Sequence, residues 1–94
     1  GALQDNNLAI KIDPEDAVSF HNRGRDKYYL NDYIGAIVDF SKAIDLNPEY
    51  GGAYYNRALT KHRMNDISGA CLDLSKAGEL GYYEAYNVMK EICN

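Results

Sequence analysis

The side chains of this 94-residue chain best placed to do chemistry are amides and guanidiniums that recur: Asn22 and Asn56, Arg23 and Arg57, with Arg25 and Arg63 close by. An amide offers a donor and an acceptor together, which suits the backbone of an extended peptide whatever its sequence. Cations beside it would select acidic residues. Catalytic groupings are not expected. His21 and His62 fall in separate stretches, so neither a shared metal nor a catalytic dyad is implied, and both read as surface histidines. No glycine-rich phosphate loop, nucleophile elbow or HExxH run occurs, so the chain reads as a non-enzyme with no cofactor and no metal. Cys71 and Cys93 lack the close spacing of a zinc site or redox dithiol. Each lies 11 residues from Tyr82, so a chain reversal there would make them neighbours. They are then either two small buried apolar residues or a disulfide, and a disulfide would imply an oxidising compartment.

The elements that position these groups must be economical, because a chain of this size hides only somewhat more than about 60% of its unfolded surface. With 46% hydrophobic and 26% charged residues it reads as a soluble globular domain, with neither a membrane span nor a signal peptide expected. Nine tyrosines against two phenylalanines and no tryptophan suit a binding surface, although tyrosine is also an ordinary helix-packing residue.

The decisive feature is an internal repeat. GALQDNNLAIKIDP from Gly1, GAIVDFSKAIDLNP from Gly35 and GACLDLSKAGELGY from Gly69 start 34 residues apart, and FHNRGRDKYYLND from Phe20 aligns with YYNRALTKHRMND from Tyr54 at the same spacing. Twelve identities link the two full units, from Asn22/Asn56 to Leu46/Leu80, too many for chance. Asp32 and Asp66 are good helix N-caps followed by apolar residues at helical spacing. Asp13-Pro14 and Asn47-Pro48 end helices, and Gly81 suits a left-handed C-terminal cap. The pattern predicts helices over 2–12, 15–29, 33–46, 51–64, 67–79 and 83–93.

With these motifs in place, the chain resembles the tetratricopeptide repeat family. The family's pattern of large and small residues appears as Phe20, Gly24, Ala36, Phe40, Ala43 and Pro48, and again as Tyr54, Ala58, Ala70, Leu74, Ala77 and Tyr82. Small residues let two helix backbones approach and large ones fill the gaps beside them. The departures are Arg23 and Arg57, where leucine is frequent, and Gly78, where an aliphatic residue is usual. The resemblance implies an all-α fold, a right-handed superhelical stack of about six antiparallel helices forming a single domain over 1–94. Residues 1–14 would be the second helix of a truncated repeat, 15–50 and 51–82 two repeats, and 83–94 a capping helix.

In this family the first helices of successive repeats line a concave groove. The matching segments 17–30 and 51–65 carry a net charge of +5 in a chain of −4, which predicts a basic groove in an acidic shell. If the helices fold back about each proline, Asp5 meets Arg23 and Asp39 meets Arg57, giving ion pairs between repeats; Arg25, Lys27, Lys61 and Arg63 would remain for ligand. The expected groove residues are His21, Asn22, Arg25 and Tyr29 from the first segment and Tyr55, Asn56, Leu59 and Arg63 from the second, with Tyr28 and His62 near them. Peptide-binding relatives place an asparagine ladder there, and some add a carboxylate clamp, of which the terminal segment offers only Asn87 and Lys90. The expected role is a protein-interaction scaffold for a peptide or partner segment with acidic residues or a C-terminal carboxylate, with no nucleic acid and no membrane. The alternative is self-association into a homo-oligomer through the apolar face of the first helix.

Overall fold

The computed structural model describes residues 2–93, which form six α-helices and no strand: α1 (Ala2–Ile12), α2 (Ala17–Tyr29), α3 (Tyr33–Leu46), α4 (Gly51–Arg63), α5 (Ile67–Glu79) and α6 (Glu84–Ile92). Gly1 and Asn94, the outermost residues of the expected truncated repeat and capping segment, lie outside the described residues. Each helix packs on the next, α2 also touches α4, and the stack measures 42 × 25 × 17 Å.

Local chemistry explains the boundaries. The carboxylates of Asp32 and Asp66 accept hydrogen bonds from the backbone N–H groups of Gly35 and Gly69 at 3.0 Å, each worth about 1 kcal/mol to its helix. A Cβ on either glycine would collide with the capping carboxylate, which accounts for the recurring Gly-Ala. α2 begins two residues later than the proline suggests because Asp16 takes the cap, accepting from Val18 N–H at 3.1 Å. Asn31 and Asn65 have φ of 65° and 64°, and Gly81 has 96°. Asparagine and glycine tolerate this left-handed geometry. It lets the next residue's N–H reach back into the helix: Asp32 to Lys27 C=O and Asp66 to Lys61 C=O at 2.8 Å, and Tyr82 to Ala77 C=O at 2.9 Å.

The core follows the large-small pattern. Phe40, Leu74, Ala36, Ala43, Ala58, Ala70 and Ala77 are fully buried. Phe20, Ala43, Ile44 and Ala53 form one cluster and Ala58, Ala70, Leu74, Ala77 and Ala85 another, with Tyr54 packed against both. Gly78 is explained by α6: a Cβ there would lie 2.5 Å from Tyr86 Cζ, so the missing side chain admits that ring.

The ion pairs differ from the expected ones. Arg23 binds Asp39 through two hydrogen bonds of 2.8 Å, and Arg57 binds Asp73 in the same way. Lys27 and Lys61 add a second cation to each carboxylate at 3.1 and 3.0 Å. The pairs therefore lie within a repeat, symmetric about Asn31 and Asn65, and neither Asp5–Arg23 nor Asp39–Arg57 forms. Across the proline turns Arg23 instead reaches Asn7 Oδ1 at 3.0 Å and Arg57 reaches Ser41 Oγ at 3.2 Å. Asn7 is two residues beyond Asp5, and two helical residues are a rotation of about 200°, which takes Asp5 off the contacting face.

Cys71 and Cys93 are joined in a disulfide, with Cα atoms 5.8 Å apart, and both are only half-buried. The reading of two buried free thiols therefore fails. The bridge ties the end of α6 to α5 across 22 residues of sequence. Closing a loop of that length restricts the unfolded chain by about 3 kcal/mol. Urea denaturation with and without reductant should show a drop of that size on reduction; coincident curves would refute the assignment.

Candidate peptide-binding groove

Two side-chain bridges fix how α2 and α4 lie. Asn56 Nδ2 meets His21 Nε2 at 2.7 Å, and Arg63 Nε donates to the Tyr28 hydroxyl at 3.1 Å. Both bridges span 35 residues and they sit seven residues apart on each helix, so the two helices run parallel with an offset one residue longer than the repeat.

Between them lies a small pocket lined by Arg25, Tyr28 and Tyr29 of α2, Phe40 of α3, and Asn56 and Leu59 of α4. At about 240 Å³, counting its open mouth, it is smaller than the usual site for a drug-sized molecule and fits one side chain. Phe40 supplies an apolar floor, since Gly24 beside it has no side chain: a Cβ there would lie 2.7 Å from the ring. Arg25 is exposed and has no carboxylate partner among the described residues. Arg63 lies with its guanidinium carbon 5.8 Å from the Tyr28 ring centroid, so Tyr28 joins both cations on one side of the molecule. The Tyr28 hydroxyl raises the Arg63 pKa further above its ordinary value, keeping it charged.

The expected residues divide accordingly. Arg25, Tyr29, Asn56 and Leu59 come together in the pocket, and Arg63 flanks it. Asn22 is half-buried, is not in the pocket and makes no side-chain hydrogen bond among the described residues, so Asn56 has His21 beside it and not a second amide. Tyr55 packs against Tyr82, with ring centroids 4.7 Å apart, and burial raises its pKa. His62 is exposed, whereas His21 is buried: its ring lies 4.8 Å from Tyr50 and 5.7 Å from Phe40. Burial, with Arg25 second, pushes its pKa below the usual 6.5, so it is neutral at pH 7. The expected basic surplus also shrinks, because Lys27 and Lys61 are held by Asp39 and Asp73. Asn87 and Lys90 on α6 are exposed and outside the pocket. Phe40 and Tyr50 escaped the sequence reading of the site; only the recurrence of Phe40 among the packing positions hinted at it.

A TPR repeat family model matches residues 24–65. The chain has the fold of the tetratricopeptide-repeat domains, and residues 24–65 match the family's repeat. It is similar over 97% of its length to the first TPR of Spaghetti (RPAP3) bound to the HSP90 peptide SRMEEVD, with 25% identity, a TM-score of 0.92 and 74% of that chain covered. The first TPR domain of human RPAP3 gives 26% identity and a TM-score of 0.93 over 98% of this chain and 74% of that one. The TPR2B domain of yeast Sti1, in its complex with pHsp70, gives 26% and 0.83 over 96% and 72%. No curated protein matches the chain. Among the described residues there is no cluster of side chains suited to a metal and no helix long and apolar enough to cross a membrane.

Proposed function

We propose that this array is a non-catalytic binding module that holds an acidic peptide segment, or a chain-terminal carboxylate, in the groove between α2 and α4. The single observation that carries this is the pocket itself: Arg25, which has no carboxylate partner among the described residues, and the Asn56 amide flank an apolar floor of Phe40 and Leu59. Such a site fits one apolar side chain while the cation and amide hold the backbone or a carboxylate beside it. The similarity to a TPR solved with SRMEEVD, a peptide with two glutamates and a terminal aspartate, supports the same choice of ligand. In this reading α1 belongs to a truncated repeat and α6 is a cap. Labelled SRMEEVD titrated by fluorescence anisotropy should bind, with Arg25→Ala weakening it by about tenfold or more, the loss of one charged hydrogen bond. Equal affinity for wild type and variant would overturn the assignment.

Leu8 and Ile12 are well exposed on α1, which favours a second reading, association of two chains through that end. Sedimentation equilibrium separates the two, since a monomer that binds peptide leaves only the first.

A further inference from the structure

We propose that His21 is a positioning residue that decides which end of the Asn56 amide faces the ligand, and so what the groove reads. The proposal rests on the groove being the binding site. Asn56 is the one amide side chain of the pocket, and its Nδ2 lies 2.7 Å from His21 Nε2. An amide nitrogen can only donate, so Nε2 accepts and the imidazole proton sits on Nδ1, directed at the Tyr50 hydroxyl 3.1 Å away. Asn56 Oδ1 makes no hydrogen bond among the described residues, and no buried side-chain oxygen or nitrogen there lacks a partner, so Oδ1 is open to solvent. With His21 neutral, the groove therefore offers an acceptor, matched to a peptide backbone N–H, next to the Arg25 charge.

Protonation reverses this. A cationic imidazole has a hydrogen on both nitrogens and can no longer accept from Nδ2, so the present contact is lost and rotation of the amide restores it, turning Oδ1 to His21 and the NH2 group to the ligand. The groove then presents a donor beside Arg25, a better match for a carboxylate. The groups acting on His21 are few. Arg25 on α2 opposes the proton, the Gly52 carbonyl of α4 favours it, Tyr50 before α4 is a neutral phenol whose own pKa burial raises, with Asp16 adding to it, and α3 contributes only the Phe40 ring. Tyr55 stands at the equivalent place in the second repeat, so the device occurs once.

The test has two arms. In free protein, 15N NMR of the His21 ring and the Asn56 side-chain amide should show a bare Nε2 at pH 7.5 and an Asn56 amide signal that moves with the His21 titration below pH 6.5. A proton on Nε2 at pH 7.5, or an amide signal indifferent to that titration, overturns the proposal whether or not any peptide binds. In the second arm SRMEEVD affinity is followed from pH 7.5 to 5.0. Wild type should bind about threefold to tenfold tighter at the acid end, equivalent to a rise of half to one unit in the His21 pKa on binding. His21→Gln keeps an acceptor for Asn56 but cannot titrate, and its profile should be flat. Parallel profiles for the two proteins overturn the proposal while leaving the groove reading standing, whereas no binding by either overturns the groove reading and leaves the NMR arm to decide what His21 does to Asn56.

Discussion

Phe40→Ala is expected to cost the fold about 3–5 kcal/mol and to remove the floor of the groove. The ring is fully buried, and its neighbours leave nothing to fill the space: Gly24 has no side chain, and Ala36 and Ala43 are already packed. The cavity would therefore persist, placing the loss toward the upper end of the range. The second repeat offers a control. Where the first has Gly24 opposite Phe40, the second has Ala58 and Leu74, a larger helix contact matched to a smaller core residue. The double variant Gly24→Ala plus Phe40→Leu should consequently be more stable than Gly24→Ala alone, in which the new methyl meets the ring. Urea unfolding of the set decides: additive losses would show that the two positions do not compensate.

Asp39→Ala should cost about 3 kcal/mol, because it strands two cations drawn in toward a buried carboxylate. Asp39 is 1% exposed and holds Arg23 and Lys27, whose side chains are 22% and 25% exposed. That partial exposure lets both cations recover some hydration, so the loss stays at the lower end for a broken buried pair. Asp5 occupies the same place in the repeat but is exposed and pairs with no cation among the described residues, so Asp5→Ala should stay within about 0.5 kcal/mol. Thermal or urea unfolding of the two variants checks this, and equal losses would restore the pairing across the prolines.

That comparison shows where sequence reasoning reached its limit. Helix existence, the Asp32 and Asp66 caps and the buried large-small positions depend on neighbours a few residues apart or on a periodicity visible in the chain, and they were legible. The ion pairs needed the register between helices. Arg23 can meet a carboxylate across either of the two turns that flank α2, and the choice follows from the left-handed Asn31, whose recurrence at Asn65 was plain but whose backbone geometry was not. His21 looked like a surface residue because nothing in its own segment shows that Tyr50 and Phe40 close over it. Gly78 stood out only as a departure from the pattern because its partner, Tyr86, comes from the helix that breaks the repeat.

The 35-residue spacing of the contacts between α2 and α4 means that each pairs residues that are not copies of one another in the repeat. One residue is about 1.5 Å of rise along a helix, so side chains that reach across meet the residue one step beyond their own repeat equivalent. The neighbours are unlike: an imidazole against an amide at one level, a phenol against a guanidinium two turns on. Two copies of a motif thus build one composite surface in place of two identical half-sites, so the proposed groove should take up one labelled SRMEEVD per chain in a stoichiometric titration.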